Sequence, residues 1–354
     1  MAFFKVEKVA IRGISGCVPP DVEENKYLPF YSTPEEADQV IAATGIERRH
    51  ISTPDITASD LCLKASEKLI EELGWEKDSI DLLAFCTQNP DYVNHPNSFI
   101  VHEKLGLPES TMCLDFFHGC PGWVVSLGAV CKLMSTGEIK RALLLDGDTV
   151  SKDQDASNRE ERPLFGDAGT ATALEYDMNT GPMFFNIGTK SDDGKALIHP
   201  HGGYRNPYSV ESLSKELKRI AGKLSQEENE TKMDSMDVFS FAITKVPKAL
   251  KKMCAEFEID IDSIDKLVLH QANKVIIDNI AKRMKVPAEK VPLGLRNYGN
   301  TTSASIPMAM VSECASELQQ GRSKNLVCGF GTGLAWGASY IETNKIVCPK
   351  IIVF

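Results

Sequence analysis

In the stretch FFHGCPGW, Phe116 to Trp123, Cys120 follows Gly119 and precedes Pro121 and Gly122. Small and apolar residues then recur at helical spacing (Val125, Leu127, Ala129, Val130, Leu133), so a turn at Gly119 puts Cys120 at or near a helix N-terminus. There, unpaired backbone N–H groups and the helix dipole favour a thiolate nucleophile. Pro121 fits a first helical turn, where its missing N–H costs nothing. Two other readings stay open on local grounds. One cysteine among ten is commonly a small apolar filler. His118, with Cys113 nearby, also permits metal ligation, but a site needs three or four ligands. The only other close histidine pair is His199 and His201 in HPHGG, and no metal is expected.

Two further residues stand where chemistry is commonly placed. His270 lies in LVLHQANKVIIDNIAKRM, directly after an apolar strand and before an amphipathic helix; strand C-termini carry the working residues of α/β folds. Asn300, in NYGNTTSASIPMAM, sits on a glycine turn before a helix of small residues, a position equally suited to turn formation or capping. FGTGLAW, Phe330 to Trp336, lacks both the phosphate-loop pattern and dinucleotide spacing. A tight turn whose N–H groups line an oxyanion hole is a better use for it.

The elements around these residues alternate amphipathic helices with short apolar runs, which predicts an α/β fold. Ser59–Leu73 reads as a helix; Asp81–Cys86, Arg141–Asp146 and Lys266–Leu269 read as strands; Ser191 to Asn206 reads as loop. A chain of 354 residues with 42% hydrophobic and 25% charged residues is a globular one, long enough for two similar halves. The ten cysteines are irregularly spaced, without a CxxC pair or a disulfide framework. The net charge of −10 argues against nucleic acid as partner. The N-terminal MAFFKVEKVAIRG lacks signal-peptide features and no apolar run approaches bilayer-spanning length, so a cytoplasmic protein without membrane attachment is expected.

Internal similarity links the candidates. DSIDLLAFCTQN from Asp78 resembles DSIDKLVLHQAN from Asp262; HGC from His118 resembles YGN from Tyr298; FGDAGTATALEYD from Phe165 resembles FGTGLAWGASYIE from Phe330. The blocks recur in one order, which predicts two pseudo-twofold α/β halves, residues 1–180 and 181–354. Superposition would set Cys86 against His270 and Cys120 against Asn300. Equivalent loops meet near such an axis, so Cys120, His270 and Asn300 are expected to share one pocket.

These sites together resemble the condensing enzymes of the thiolase superfamily, most closely the β-ketoacyl-acyl-carrier-protein synthase III branch. TGIERRHI (from Thr44), GCPGW, LFGDAGTA (from Leu164), HQAN (from His270), GNTTSASIP (from Gly299) and GFGTGLAWG (from Gly329) run in that family's order. The resemblance implies a thiolase-like fold in αβαβα layers and a Cys120-His270-Asn300 triad. It also implies an oxyanion hole from the N–H groups of Cys120 and Thr332, and a homodimer. Cys120 would be acylated by a coenzyme A or carrier-protein thioester, with no other cofactor. Decarboxylative condensation with a malonyl thioester would follow; transfer to an oxygen, nitrogen or other carbon nucleophile, or a noncatalytic partner-subunit role, are the alternatives.

The departures from the family matter too. Gln39 and Ala43 replace the residues that usually clamp adenine, and Glu47 an arginine, while Arg159 matches a family arginine. His95, Trp123, His118 and Phe330 are expected to wall the acyl pocket, pointing to an acyl group other than acetyl. Lys274, Lys282 and Arg283 on one helix, and Lys245, Lys248 and Lys252 on another, are expected to receive coenzyme A or an acidic carrier protein.

Overall fold

The computed structural model describes residues 2–154, 158–191, 194, 196–210 and 232–354. Its strands, numbered along the chain, form two large mixed sheets. The first runs β15 (Ile352–Val353), β2 (Val9–Val18), β8 (Ala168–Tyr176), β7 (Arg141–Asp148), β5 (Leu82–Thr87), β6 (Met112–Phe117). The second runs β1 (Ala2–Val6), β9 (Met183–Thr189), β14 (Ala335–Asn344), β13 (Arg322–Gly331), β12 (Lys266–Leu269). Two short ribbons, β3 (Asp21–Glu24) with β4 (Arg48–Ile51) and β10 (Leu197–Ile198) with β11 (Lys232–Met233), complete the set.

The sheets share a plan. β2, β8 and β7 are antiparallel neighbours and β7 is parallel to β5; β9, β14 and β13 repeat this, with β13 parallel to β12. The termini cross over: β1 pairs with β9 and β15 with β2.

Burial explains which segments lie where. β5 is buried at every residue, as a central parallel strand must be, and its apolar run shows it. The helices Gly122–Met134 and Ser305–Glu313 lie between the sheets, and their sequences are apolar nearly all round. Val124 and Leu127 of the first and Ile306 and Met310 of the second share a core with Leu82, Leu144, Val268 and Val327 from both sheets. Amphipathic helices cover the outer faces: Ala58–Leu73 and Asn97–Leu105 on one sheet, Ser235–Glu256 and Lys274–Met284 on the other. The result is the expected αβαβα layering.

The predicted elements recur with small differences. The helix begins at Ala58, where the Thr57 N–H donates to Asp60 Oδ2 at 3.1 Å. The strand read as ending at Asp146 continues to Asp148, both carboxyls being fully buried. The segment read as loop holds the short strand β10; its positions 192, 193 and 195 lie outside the described residues. All ten cysteines are free, nine of them buried. No described helix is long and apolar enough to cross a membrane.

Candidate active site

Cys120, His270, Asn300, Phe330 and Thr332 line one cavity of about 690 Å³. Cys120 stands two residues before the central helix Gly122–Met134, with Pro121 as its N-cap. His270 follows β12 directly, its N–H donating to the Cys328 carbonyl at 2.9 Å. Asn300 is strapped to the LFGD loop: its N–H donates to the Leu164 carbonyl at 2.8 Å and its carbonyl accepts from Gly166 N–H at 3.1 Å. The sequence places these groups far apart, and the facing strand ends and central helices bring them together.

Close approach explains the glycines. A Cβ on Gly331 would lie 2.9 Å from Cys120 Sγ, and one on Gly329 would lie 2.7 Å from Pro121 Cα and 2.8 Å from the Cys120 carbonyl. This proximity lets the Thr332 N–H, with that of Cys120 itself, face Sγ. Those donors do not make the resting group a thiolate. Burial, reinforced by the Asp148 carboxyl, pushes the thiol up to about 12, outweighing the helix-start effect expected from sequence.

His270 is 2% exposed, and burial alone pulls its pKa down to about 3, so the ring is neutral. Its Nδ1 lies 2.6 Å from Ser305 Oγ, and its ring meets Phe330 edge-on with centroids 5.3 Å apart. A hydroxyl donating to Nδ1 leaves the ring proton on Nε2. Asn300 Oδ1 accepts from Thr302 N–H at 3.0 Å, so Nδ2 is the end left to donate. A neutral imidazole and an amide, each with a donor to offer, stand in the cavity that holds the thiol.

Two supports are not among the residues singled out from the sequence, although Ser305 lies within GNTTSASIP. Asp148 accepts from Thr87 Oγ1 (2.8 Å), Gln88 N–H (2.8 Å), Ser303 Oγ (2.6 Å), Ser303 N–H (3.2 Å) and the Thr302 hydroxyl. One carboxyl thus ties the ends of β5 and β7 to the Asn300 turn; burial pushes its pKa above the usual range. Ser305 is the other. The TGIERRHI motif proves to be a brace: buried Arg49 donates to Glu23 Oε2 at 2.8 Å and to the Phe165 carbonyl at 3.2 Å.

Several expected positions fall elsewhere. Trp123 does not wall the cavity: it is fully buried in the core, where its Nε1 donates to Thr172 Oγ1 at 3.0 Å, because the helix turns it toward β8. His118 is half-buried outside the cavity wall, its backbone N–H bound to the Thr87 carbonyl at 3.3 Å and its pKa lowered by burial. His95 is exposed, edge-on to Tyr92 and Phe99, away from this chain's cavity. Arg159 also lies outside the wall, bound to Glu36 near the Phe30 ring. Lys248 and Arg283 line a surface groove with Lys251 and Lys252; Lys245 and Lys282 are exposed outside it. Lys274 pairs with Asp278 on its own helix.

The layers and the cavity-lining cysteine define a thiolase-like enzyme, and comparison with known proteins refines the class. The family model of 3-oxoacyl-[acyl-carrier-protein] synthase III matches residues 114–192, and that of its C-terminal part residues 254–343. The β-ketoacyl-[acyl-carrier-protein] synthase III of Fusobacterium nucleatum is 31% identical over 95% of this chain and 99% of its own. That of Clostridium perfringens is 32% identical over 92% and 96%. The crystal structure of the 3-oxoacyl-(acyl-carrier protein) synthase from Burkholderia xenovorans superposes with a TM-score of 0.91 at 34% identity, covering 99% of this chain and 98% of that one. The chain belongs to the β-ketoacyl-[acyl-carrier-protein] synthase III family and is an acyltransferase.

Proposed function

We propose that Cys120 takes an acyl group from a thioester and that His270 and Asn300 direct its condensation with a malonyl thioester. The observation that carries this is the convergence of a buried thiol, a neutral imidazole and a donor-end amide on one cavity. In the first step Sγ attacks the acyl carbonyl, the oxyanion sits between the Cys120 and Thr332 N–H groups, and the departing thiolate leaves with the thiol proton. In the second, His270 Nε2–H and Asn300 Nδ2–H donate to the malonyl thioester carbonyl. Carbon dioxide leaves, and the enolate carbon attacks the acyl-cysteine carbonyl, expelling Sγ, which recovers a proton. The product is a β-ketoacyl thioester.

Neutral His270 favours this role, because a donor without charge stabilises an enolate without first becoming an acid. Intact-mass measurement after exposure to a panel of acyl thioesters should show an adduct on Cys120 that C120A lacks. Carbon dioxide release from malonyl-carrier protein should then follow; loading without release would instead favour transfer to another nucleophile.

The same proposal extends to assembly and delivery. Among the described residues β6 ends its sheet, and Met112, Phe117, Tyr92, Val93 and Phe99 around it are 42–79% exposed, a surface suited to a homodimer. His95 on that loop would then line a partner's cavity. The groove of Lys248, Lys251, Lys252 and Arg283 suits an acidic carrier protein or coenzyme A phosphates. We place the boundary of the two halves near residue 180, and the enzyme in the cytoplasm.

A further inference from the structure

We infer that Gln88 sets the length of the acyl chain that Cys120 accepts, its side chain closing the acyl end of the cavity beside the nucleophile. The inference rests on the acyl-enzyme reading above and adds the residue that selects the donor. In the site described so far only the backbone of Gln88 has a part, its N–H donating to Asp148 Oδ1 at 2.8 Å. Its side chain lines the cavity that holds Cys120 and is half-buried.

The layers give the cavity two ends. The helices Ser235–Glu256 and Lys274–Met284 cover the outer face of the second sheet, and Met236, Phe239, Asn273 and Ile276 at their starts line the cavity. The same helices carry the basic groove of Lys248, Lys251, Lys252 and Arg283, so the thioester arm enters from that side. Cys120 stands at the head of a central helix. Across that layer, Phe117 ends β6 of the first sheet, Gln88 follows the last residue of β5, and both line the cavity. An acyl group bonded to Sγ and directed away from the entry therefore meets the ends of β5 and β6.

There Gln88 reaches back to the nucleophile turn. A Cβ on Gly119 would collide with Gln88 Oε1 and lie 3.2 Å from Gln88 Cδ and 3.3 Å from Thr332 Oγ1. The amide thus rests against the residue before Cys120 and beside Thr332, whose N–H faces Sγ, and glycine at 119 makes room for it. The stem is fixed: Asp148 Oδ1 accepts from Gln88 N–H and Thr87 Oγ1 at 2.8 Å each, and Thr87 Oγ1 accepts from Asn89 N–H at 2.9 Å. The tip has no hydrogen-bond partner among the described residues and keeps accessible surface in the cavity, so nothing ties it back out of the acyl path. A fixed stem with its side chain laid beside the thiol leaves room for a short acyl group. Each further methylene meets that side chain, the overpacking that close-packed protein resists.

The test offers butyryl and octanoyl groups, each as coenzyme A and as carrier-protein thioesters, and follows Cys120 loading by intact mass as kcat/KM. Butyryl should load about tenfold faster than octanoyl, or more. Gln88→Ala should raise octanoyl loading relative to butyryl by about fivefold or more. Gln88→Met, which keeps the length of the side chain, should hold the wild-type ratio. The ratio makes each variant its own reference, so a general loss of loading does not imitate the effect. Circular dichroism confirms that each variant is folded, and Gln88→Ser replaces Gln88→Ala if that variant is not. Equal or faster octanoyl loading by the wild type overturns the inference, as does a ratio unmoved in the folded small-residue variant. A ratio shifted as far in Gln88→Met as in Gln88→Ala overturns it too, because selection would then lie in hydrogen bonding and not in reach. If no thioester of either length loads Cys120, the acyl-enzyme reading itself fails first.

Discussion

The Ser305 hydroxyl offers a sharp test of how the imidazole works, because it touches His270 and lies outside the cavity wall. In Ser305→Ala, Nδ1 loses a partner 2.6 Å away at a ring that is 2% exposed. An unsatisfied buried group of this kind costs about 1–3 kcal/mol. The hydroxyl no longer holds the ring proton on Nε2, and a ring that carries it on Nδ1 has no hydrogen at Nε2 to offer the malonyl carbonyl. At roughly 1.4 kcal/mol per decade, the donor-competent population and the decarboxylation rate fall about fivefold to 150-fold. Cys120 acylation, which uses backbone N–H groups, falls far less. Carbon dioxide release from a malonyl thioester measures the first step, and intact mass with an acyl-CoA the second; Ser305→Thr should recover much of the release. Parallel loss of both steps, or undiminished release in Ser305→Ala, would refute the tautomer argument.

Other outcomes follow from the same geometry. With His270 depressed to about 3, decarboxylation should show no histidine titration near pH 6.5, and one appearing there would place a charged ring in the cycle. The unfolded chain protonates this histidine below about 6.5 while the folded protein resists, so stability is lost as pH falls from there toward 3; His270→Asn should flatten that part of the denaturation profile. Asp148→Asn sets an amide N–H₂ against Ser303 N–H or Gln88 N–H and should lower stability by about 2–4 kcal/mol in urea unfolding, with activity falling alongside; a wild-type midpoint would show that Asp148 is dispensable. Gly329→Ala drives a Cβ into the Pro121 and Cys120 backbone, so folded protein should load acyl groups slowly or not at all, measured by intact mass.

Much of this site was legible because its residues sit at punctuation. Cys120 precedes a helix, His270 ends a strand and Asn300 occupies a glycine turn, so the repeat and the motif order brought them together. Wall positions were harder. Trp123 lies three residues past Cys120, and a motif does not say which face of a helix meets the substrate; here it meets Thr172 in the core. His95 and His118 attracted notice by residue type, while exposure of one and backbone anchoring of the other keep them off the wall. Lys251 escaped because helical spacing was read along 245, 248 and 252, whereas the groove also takes Arg283 from a neighbouring helix. Asp148 was hidden by an ordinary rule: a charged residue after an apolar run marks a strand's end. It fails where five donors from two other segments wait for the carboxyl.

The exchange of terminal strands bears on synthesis. β1 precedes the other described strands, yet its partner β9 begins at Met183, and β15, which edges the first sheet, follows them all. The early half therefore emerges with a strand whose mate is not made until Met183 is reached, and with an edge whose mate is not made until Ile352. A cut near residue 180 would strand each of these ribbons on the wrong fragment. Reassembly from such fragments would have to begin by trading ends.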